Sequence, residues 1–133
     1  MTIGPVTVSL PIADRPVSYR FYREALGFEP LGEPAEDGVP EPLQFAVNDG
    51  LRLMLIPSGG FGWVIGGHEV APRGRSECLL AFEADGEAGV DAAVRRARDA
   101  GGEVVTAPGP QPWGYAGVFA DPDGHVWMVT PRA

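Results

Sequence analysis

The segment FAVNDGLRLML, from Phe45 to Leu55, recurs as FADPDGHVWMV, from Phe119 to Val129, at a constant offset of 74 residues. The copies share Phe, Ala, Asp-Gly and Met, so Met54 and Met128 stand at the same place in each. Both read as β-hairpins, with apolar arms flanking an Asp-Gly turn. A chain of 133 residues that writes one hairpin twice is constrained to a duplicated architecture.

The flanking elements repeat as well. Val6 to Leu10 alternates, as a strand with one apolar face does. Asp14 stands as an N-cap with Pro16 in the first turn, and Val17, Phe21 and Ala25 form a helical stripe that Gly27 ends. A short strand starts near Phe28, residues 32–42 read as a loop, and the first hairpin follows. In the second half Cys78 to Ala84 is a strand and Glu87 to Ala100 a helix stopped by Gly101-Gly102. Glu103 to Ala107 is a short strand, Pro108 to Pro112 a loop, and the second hairpin closes the chain. Each half is therefore β-α-β-β-β. Module 1 spans about 1–57 and module 2 about 77–133. The glycine-rich connector 58–76 between them carries Phe61, Trp63 and His68.

One helix covers one face of a four-stranded sheet and leaves the other needing a partner. The expected fold class is α+β: two βαβββ modules whose curved mixed sheets form a shared cup, with helices on the outer faces.

Composition narrows the function. A formal net charge of −8 argues against nucleic acid, which would require a basic face. All ten basic residues are arginine, so lysine Schiff-base chemistry and a P-loop lysine are excluded. Cys78 is the only cysteine, which excludes an internal disulfide and a thiolate metal cluster; its apolar neighbours Leu79 and Leu80 suggest a core thiol. No apolar run reaches membrane-spanning length and no signal-peptide pattern opens the chain, so a cytoplasmic location is expected.

The element order, with Asp14-Arg15-Pro16-Val17-Ser18-Tyr19-Arg20-Phe21-Tyr22, Leu26-Gly27-Phe28 and Asp121-Pro122-Asp123-Gly124-His125-Val126-Trp127, resembles the vicinal oxygen chelate superfamily. That superfamily includes glyoxalase I, bleomycin-resistance proteins, fosfomycin-resistance enzymes and extradiol dioxygenases. The resemblance implies metal-ligand positions on strands facing the cup. One lies seven residues before the Asp that opens the first helix, which is Thr7; the corresponding count in the second half lands near Leu79. The other two lie on the last strand of each module, at Met54 and Met128. A hydroxyl, two thioethers and an alkyl chain do not meet the oxygen and imidazole demands of a hard divalent cation. No metal and no cofactor are expected, and the resemblance points to the metal-free bleomycin-resistance-like branch.

Strand parity then places Thr7, Ser9, Arg52, Ile56, Val126 and Thr130 on the face of Met54 and Met128. Across the last hairpin, an even-length turn sets Gly117 opposite Met128 and Tyr115 opposite Thr130. Gly117 would leave room beside Met128, and adaptable thioethers suit a shaped apolar ligand; the same two methionines could equally close a small core. Phe61, Trp63, Trp113 and Tyr115 are candidate stacking platforms, while Arg52 and Glu83 offer charges inside the cup. The leading expectation is a metal-independent binder of a cationic or aromatic small molecule, such as an antibiotic, acting as a homodimer. The alternatives are a lyase, isomerase or dioxygenase-type enzyme using Glu83 or Tyr115 for proton transfer, and an interaction module with a solid cup.

Overall fold

The computed structural model describes residues 2–132. Its elements run β1 (Val6–Ile12), α1 (Arg15–Ala25), β2 (Glu29–Leu31), β3 (Leu43–Asn48), β4 (Leu51–Pro57), α2 (Ser58–Val64), β5 (Leu79–Asp85), α3 (Gly86–Asp99), β6 (Glu103–Gln111), β7 (Gly114–Ala120) and β8 (Val126–Arg132). They form two four-stranded mixed sheets, ordered β1-β4-β3-β2 and β5-β8-β7-β6. Each sheet has one parallel pair, β1 with β4 and β5 with β8, and its remaining pairs are antiparallel. The fold is α+β, with the two-module β-α-β-β-β order the repeat implies. The chain divides into two compact units. One holds residues up to Arg23 with Gly27–Val70; the other holds Glu24–Leu26 with residues from Ala71 onward.

In the first unit, Asp14 caps α1 by accepting the Val17 N–H at 3.0 Å. The α1 stripe of Phe21, Tyr22 and Ala25 is completely buried. Tyr22 and Tyr19 lie 6.0 and 6.2 Å from the Phe45 ring of β3, and Phe28 stacks on Tyr22 at 6.0 Å. Leu10, Ile12, Leu43, Leu53 and Leu55 complete this core. Gly27 takes φ +65°, the left-handed conformation that ends a helix at little cost to glycine. The acidic loop after β2 is held by Arg15. Its guanidinium donates to the Val39 and Pro40 carbonyls at 3.0 and 2.7 Å and pairs with Glu41 at 3.0 Å.

In the second unit, α3 buries Val90, Ala93, Val94 and Ala97 against Phe119, Trp127 and Val129. Phe119 and Trp127 stack at 6.4 Å with nearly parallel rings. The turn between β7 and β8 is organised by the buried Asp121, whose Oδ1 accepts the N–H groups of Asp123 and His125 at 2.9 and 2.8 Å. The Arg73 guanidinium donates to the Pro122 carbonyl, clipping the segment before β5 to that turn.

Four expectations need correction. The connector is not wholly a loop: Ser58–Val64 forms α2, which buries none of its residues and whose Ser58 hydroxyl donates to the Ile12 carbonyl at 3.2 Å. The strand expected to stop at Ala107 runs on as β6 to Gln111, with Pro110 opposite Tyr115. β6 is an edge strand, where a residue without an N–H is tolerated. Cys78 precedes β5 and is exposed, so it is not a core thiol.

The fourth correction concerns the last hairpin. Ala120 pairs with Val126, which leaves five residues, Asp121 to His125, in the turn rather than an even number. Val118, not Gly117, therefore stands opposite Met128, and Gly117 pairs with Val129. Gly117 and Tyr115 belong to the face packed against α3. A Cβ at Gly117 would lie 2.7 Å from Val94 Cγ2, and the Tyr115 hydroxyl donates to Asp91 of α3 at 2.6 Å.

Candidate functional site

In each sheet the face opposite the helix presents the candidate residues in rows set by register. On the first sheet one row is Thr7, Arg52 and Ala46, and the next is Ser9, Met54 and Gln44. A third row sets Pro11 beside Ile56. On the second sheet the rows are Leu79 with Val126, then Ala81, Met128 and Val118, then Glu83 with Thr130, then Asp85 with Arg132. Alternation along β4 is clear: Leu53 and Leu55 are 1% exposed, whereas Met54 and Ile56 are half-buried and Arg52 is exposed. β5 alternates similarly, with Leu79, Ala81, Glu83 and Asp85 exposed.

Register fixes which positions of the two modules correspond. Thr7 pairs with Arg52 as Leu79 pairs with Val126, and Ser9 pairs with Met54 as Ala81 pairs with Met128. Thr7 and Leu79 are thus matching positions on the first strands, and Met54 and Met128 match on the last. These four side chains offer one hydroxyl and two thioethers, which do not fit a hard divalent cation. Among the described residues, no group of three or more His, Cys, Asp or Glu is arranged to hold a metal ion. His68 is exposed and donates from Nδ1 to the Ile65 carbonyl at 2.8 Å.

Charge on these faces is sparse. Arg132 donates to Asp85 at 2.5 Å, and that hydrogen bond raises the guanidinium pKa, with the Asp85 charge adding to it. Arg52 and Glu83 make neither a hydrogen bond nor an ion pair among the described residues. The Tyr115 hydroxyl is pushed up to about 12, first by its hydrogen bond to Asp91 and then by burial. A phenol that donates to a carboxylate is held in its protonated form.

The aromatic candidates are placed differently from one another. Trp63 on α2 is 84% exposed and Trp113, between β6 and β7, is 63% exposed; Phe61 is half-buried. Trp127 lies in the core at 3% exposure. Val118 is the opposite-face residue that parity reasoning missed. The 74-residue offset finds it, because its mate Gln44 stands opposite Met54.

Paired β-α-β-β-β modules with candidate positions on the first and last strands define a duplicated-sheet scaffold of the vicinal oxygen chelate type. The family model described as Glyoxalase/Bleomycin resistance protein/Dioxygenase superfamily matches residues 3–129, and the chain belongs to that superfamily. Comparison with curated proteins gives no match. Among solved structures, a glyoxalase-related enzyme from Fulvimarina pelagi is 27% identical with a TM-score of 0.81, covering 96% of this chain and 86% of its own. TnmS3, an antibiotic binding protein from Streptomyces sp. CB03234, is 29% identical with a TM-score of 0.65, covering 100% of this chain and 99% of its own. A hypothetical protein from S. aureus shares the fold at 23% identity and a TM-score of 0.82, covering 99% of this chain and 96% of its own. No helix among the described residues is long and apolar enough to cross a membrane.

Proposed function

We propose that this protein binds a small organic molecule without a metal ion, in the manner of an antibiotic-sequestering protein, and that it does so as a homodimer. The observation that carries the reading is the donor set itself. Thr7, Met54, Leu79 and Met128 occupy the positions that the family resemblance marks for metal ligands, and their chemistry suits apolar contact. Full-length likeness to an antibiotic binding protein at 29% identity supports it. In each module the proposed contacts lie on the sheet face opposite the helix, Thr7, Ser9, Arg52 and Met54 on the first sheet and Glu83 and Met128 on the second, with Phe61, Trp63 and Trp113 as further aromatic contacts. The net charge of −8 favours a cationic ligand. Tyr115 and Gly117 lie on the face packed against α3, so this reading draws its contacts from the other residues.

The second reading is an enzyme, favoured by the 27% identity to the glyoxalase-related enzyme. A thermal-shift panel on chelator-treated protein separates the two, using divalent metals, glutathione adducts, catechols and cationic aromatic antibiotics. A ligand specific for the native state raises stability by about 2.7 kcal/mol at a hundredfold excess over its Kd. A shift with an organic cation and none with metals supports the binder. A metal shift accompanied by turnover of a glutathione adduct or catechol overturns it.

A further inference from the structure

The repeat makes the two sheets nearly superimposable in register, and this exposes where they differ. The central row keeps methionine in both, Met54 between Ser9 and Gln44, and Met128 between Ala81 and Val118. The rows on either side of it carry charge at opposite ends. Toward the start of the parallel strands, the first sheet has Arg52 beside Thr7, where the second has Val126 beside Leu79. Toward their end, the second sheet has Glu83 beside Thr130, where the first has Pro11 beside Ile56. Each sheet thus presents a methionine platform bounded by one charge next to a threonine hydroxyl. The signs are opposite, and the apolar end of one sheet matches the charged end of the other.

Neither charge has a role in holding the fold. Arg52 and Glu83 are exposed and make no bond to any described residue. The next acid along β5, Asp85, holds Arg132 by a direct hydrogen bond, and Glu83 acts on that guanidinium only through its charge, with no bond between the two. An exposed charge with no direct bond to the protein, beside a hydroxyl, is equipped to read a complementary group on a ligand.

We infer that Glu83 with Thr130 reads an amine or other cationic nitrogen, that Arg52 with Thr7 reads a carboxylate or other anionic oxygen, and that these two residues set the charge selectivity of the ligand. The preferred ligand class is a flat apolar body bearing a basic nitrogen or an acidic oxygen. This rests on the binder reading above and assigns its specificity to two residues.

The test uses three probes with one ring system: proflavine, a cation; acridine in mildly basic buffer, neutral; and an acridine carboxylate, an anion. Affinities are measured by fluorescence titration on full-length wild type, Glu83→Gln and Arg52→Gln. An ion pair at an exposed site is worth up to roughly a fivefold change in affinity. Glu83→Gln is expected to weaken proflavine about threefold to fivefold with acridine held within about 1.5-fold, and Arg52→Gln to do the same for the carboxylate. Unchanged thermal midpoints verify that both variants fold. Wild-type binding that neither variant alters overturns the inference and leaves the binder reading standing. Absence of binding by all three probes overturns the inference; it overturns the parent reading too when the wider thermal-shift panel is also silent.

Discussion

Replacing Gly117 with alanine tests the second sheet's register more sharply than any change at the surface. A Cβ there would lie 2.7 Å from Val94 Cγ2, closer than real Cβ contacts come, and 3.1 Å from Pro108 Cγ, tighter than most. Val94 is 2% exposed on α3, and its branched side chain has little rotamer freedom in a helix with which to move aside. Overpacking of this kind costs about 1–3 kcal/mol, and a displacement of buried helix puts this site in the upper half of that range. The reduced entropy of the unfolded alanine chain returns about 0.4–1 kcal/mol. The net is a loss of about 1–2.5 kcal/mol, or a Tm lower by about 3–12 °C for a domain of this size. Urea unfolding followed by circular dichroism measures the first and calorimetry the second. In a double-mutant cycle, Val94→Ala relieves the clash, so the pair loses less than the sum of the single changes. Had Gly117 faced Met128 across the hairpin, alanine would be neutral or stabilising. A variant as stable as wild type refutes the packing described here.

Three further outcomes are expected. Asp121→Ala strips two backbone N–H groups of their charged acceptor in a buried turn and is expected to cost about 2–3 kcal/mol in urea unfolding, with Asp121→Asn losing less. Arg15→Ala frees the Val39 and Pro40 carbonyls and is expected to cost about 1–3 kcal/mol, with limited proteolysis appearing first within residues 32–42. Because the Tyr115 pKa is raised to about 12, the phenol contributes stability that is complete below the ordinary tyrosine value of about 10 and is lost as pH climbs through 12. Near-ultraviolet titration should show a late tyrosine transition that Tyr115→Phe diminishes by one phenol, and Asp91→Asn should bring the Tyr115 transition earlier.

Legibility in the sequence followed the range of the interactions involved. The Asp14 cap, the Phe21 and Tyr22 stripe and the Gly27 stop are local, and all three stand where the pattern placed them. Parity along β4 was equally readable, because nothing interrupts its pairing with β1 from Leu51 to Pro57. The second hairpin was not readable from parity alone. Its register depends on a five-residue turn stabilised by a buried carboxylate, and one residue of difference moves every β7 side chain to the other face. The first hairpin reaches an equivalent register by a different route, a two-residue Asp49-Gly50 turn with an irregularity between Ala46 and Asn48. α2 was missed because a seven-residue segment with three glycines carries no helical signature of its own. Cys78 was misjudged because an apolar neighbourhood in sequence does not say where a strand begins.

The repeat also explains why the two sheets diverge on one face only. On the helix side the matching pairs are Phe45 with Phe119, Leu53 with Trp127, and Leu55 with Val129, all buried. Each must fill volume against a helix, and even the exchange of Leu for Trp keeps an apolar side chain there. On the opposite face only the methionine row is matched in kind, while Arg52 faces the substitution of Val126 and Pro11 that of Glu83. Among the described residues neither Arg52 nor Glu83 makes a hydrogen bond or a direct ion pair, so the packing of the fold does not fix their opposite signs. A duplicated framework held fixed by its packed faces is free to write different chemistry on the other two. In this chain that chemistry is a half-buried Met54 bordered by Arg52 on one sheet and Met128 bordered by Glu83 on the other.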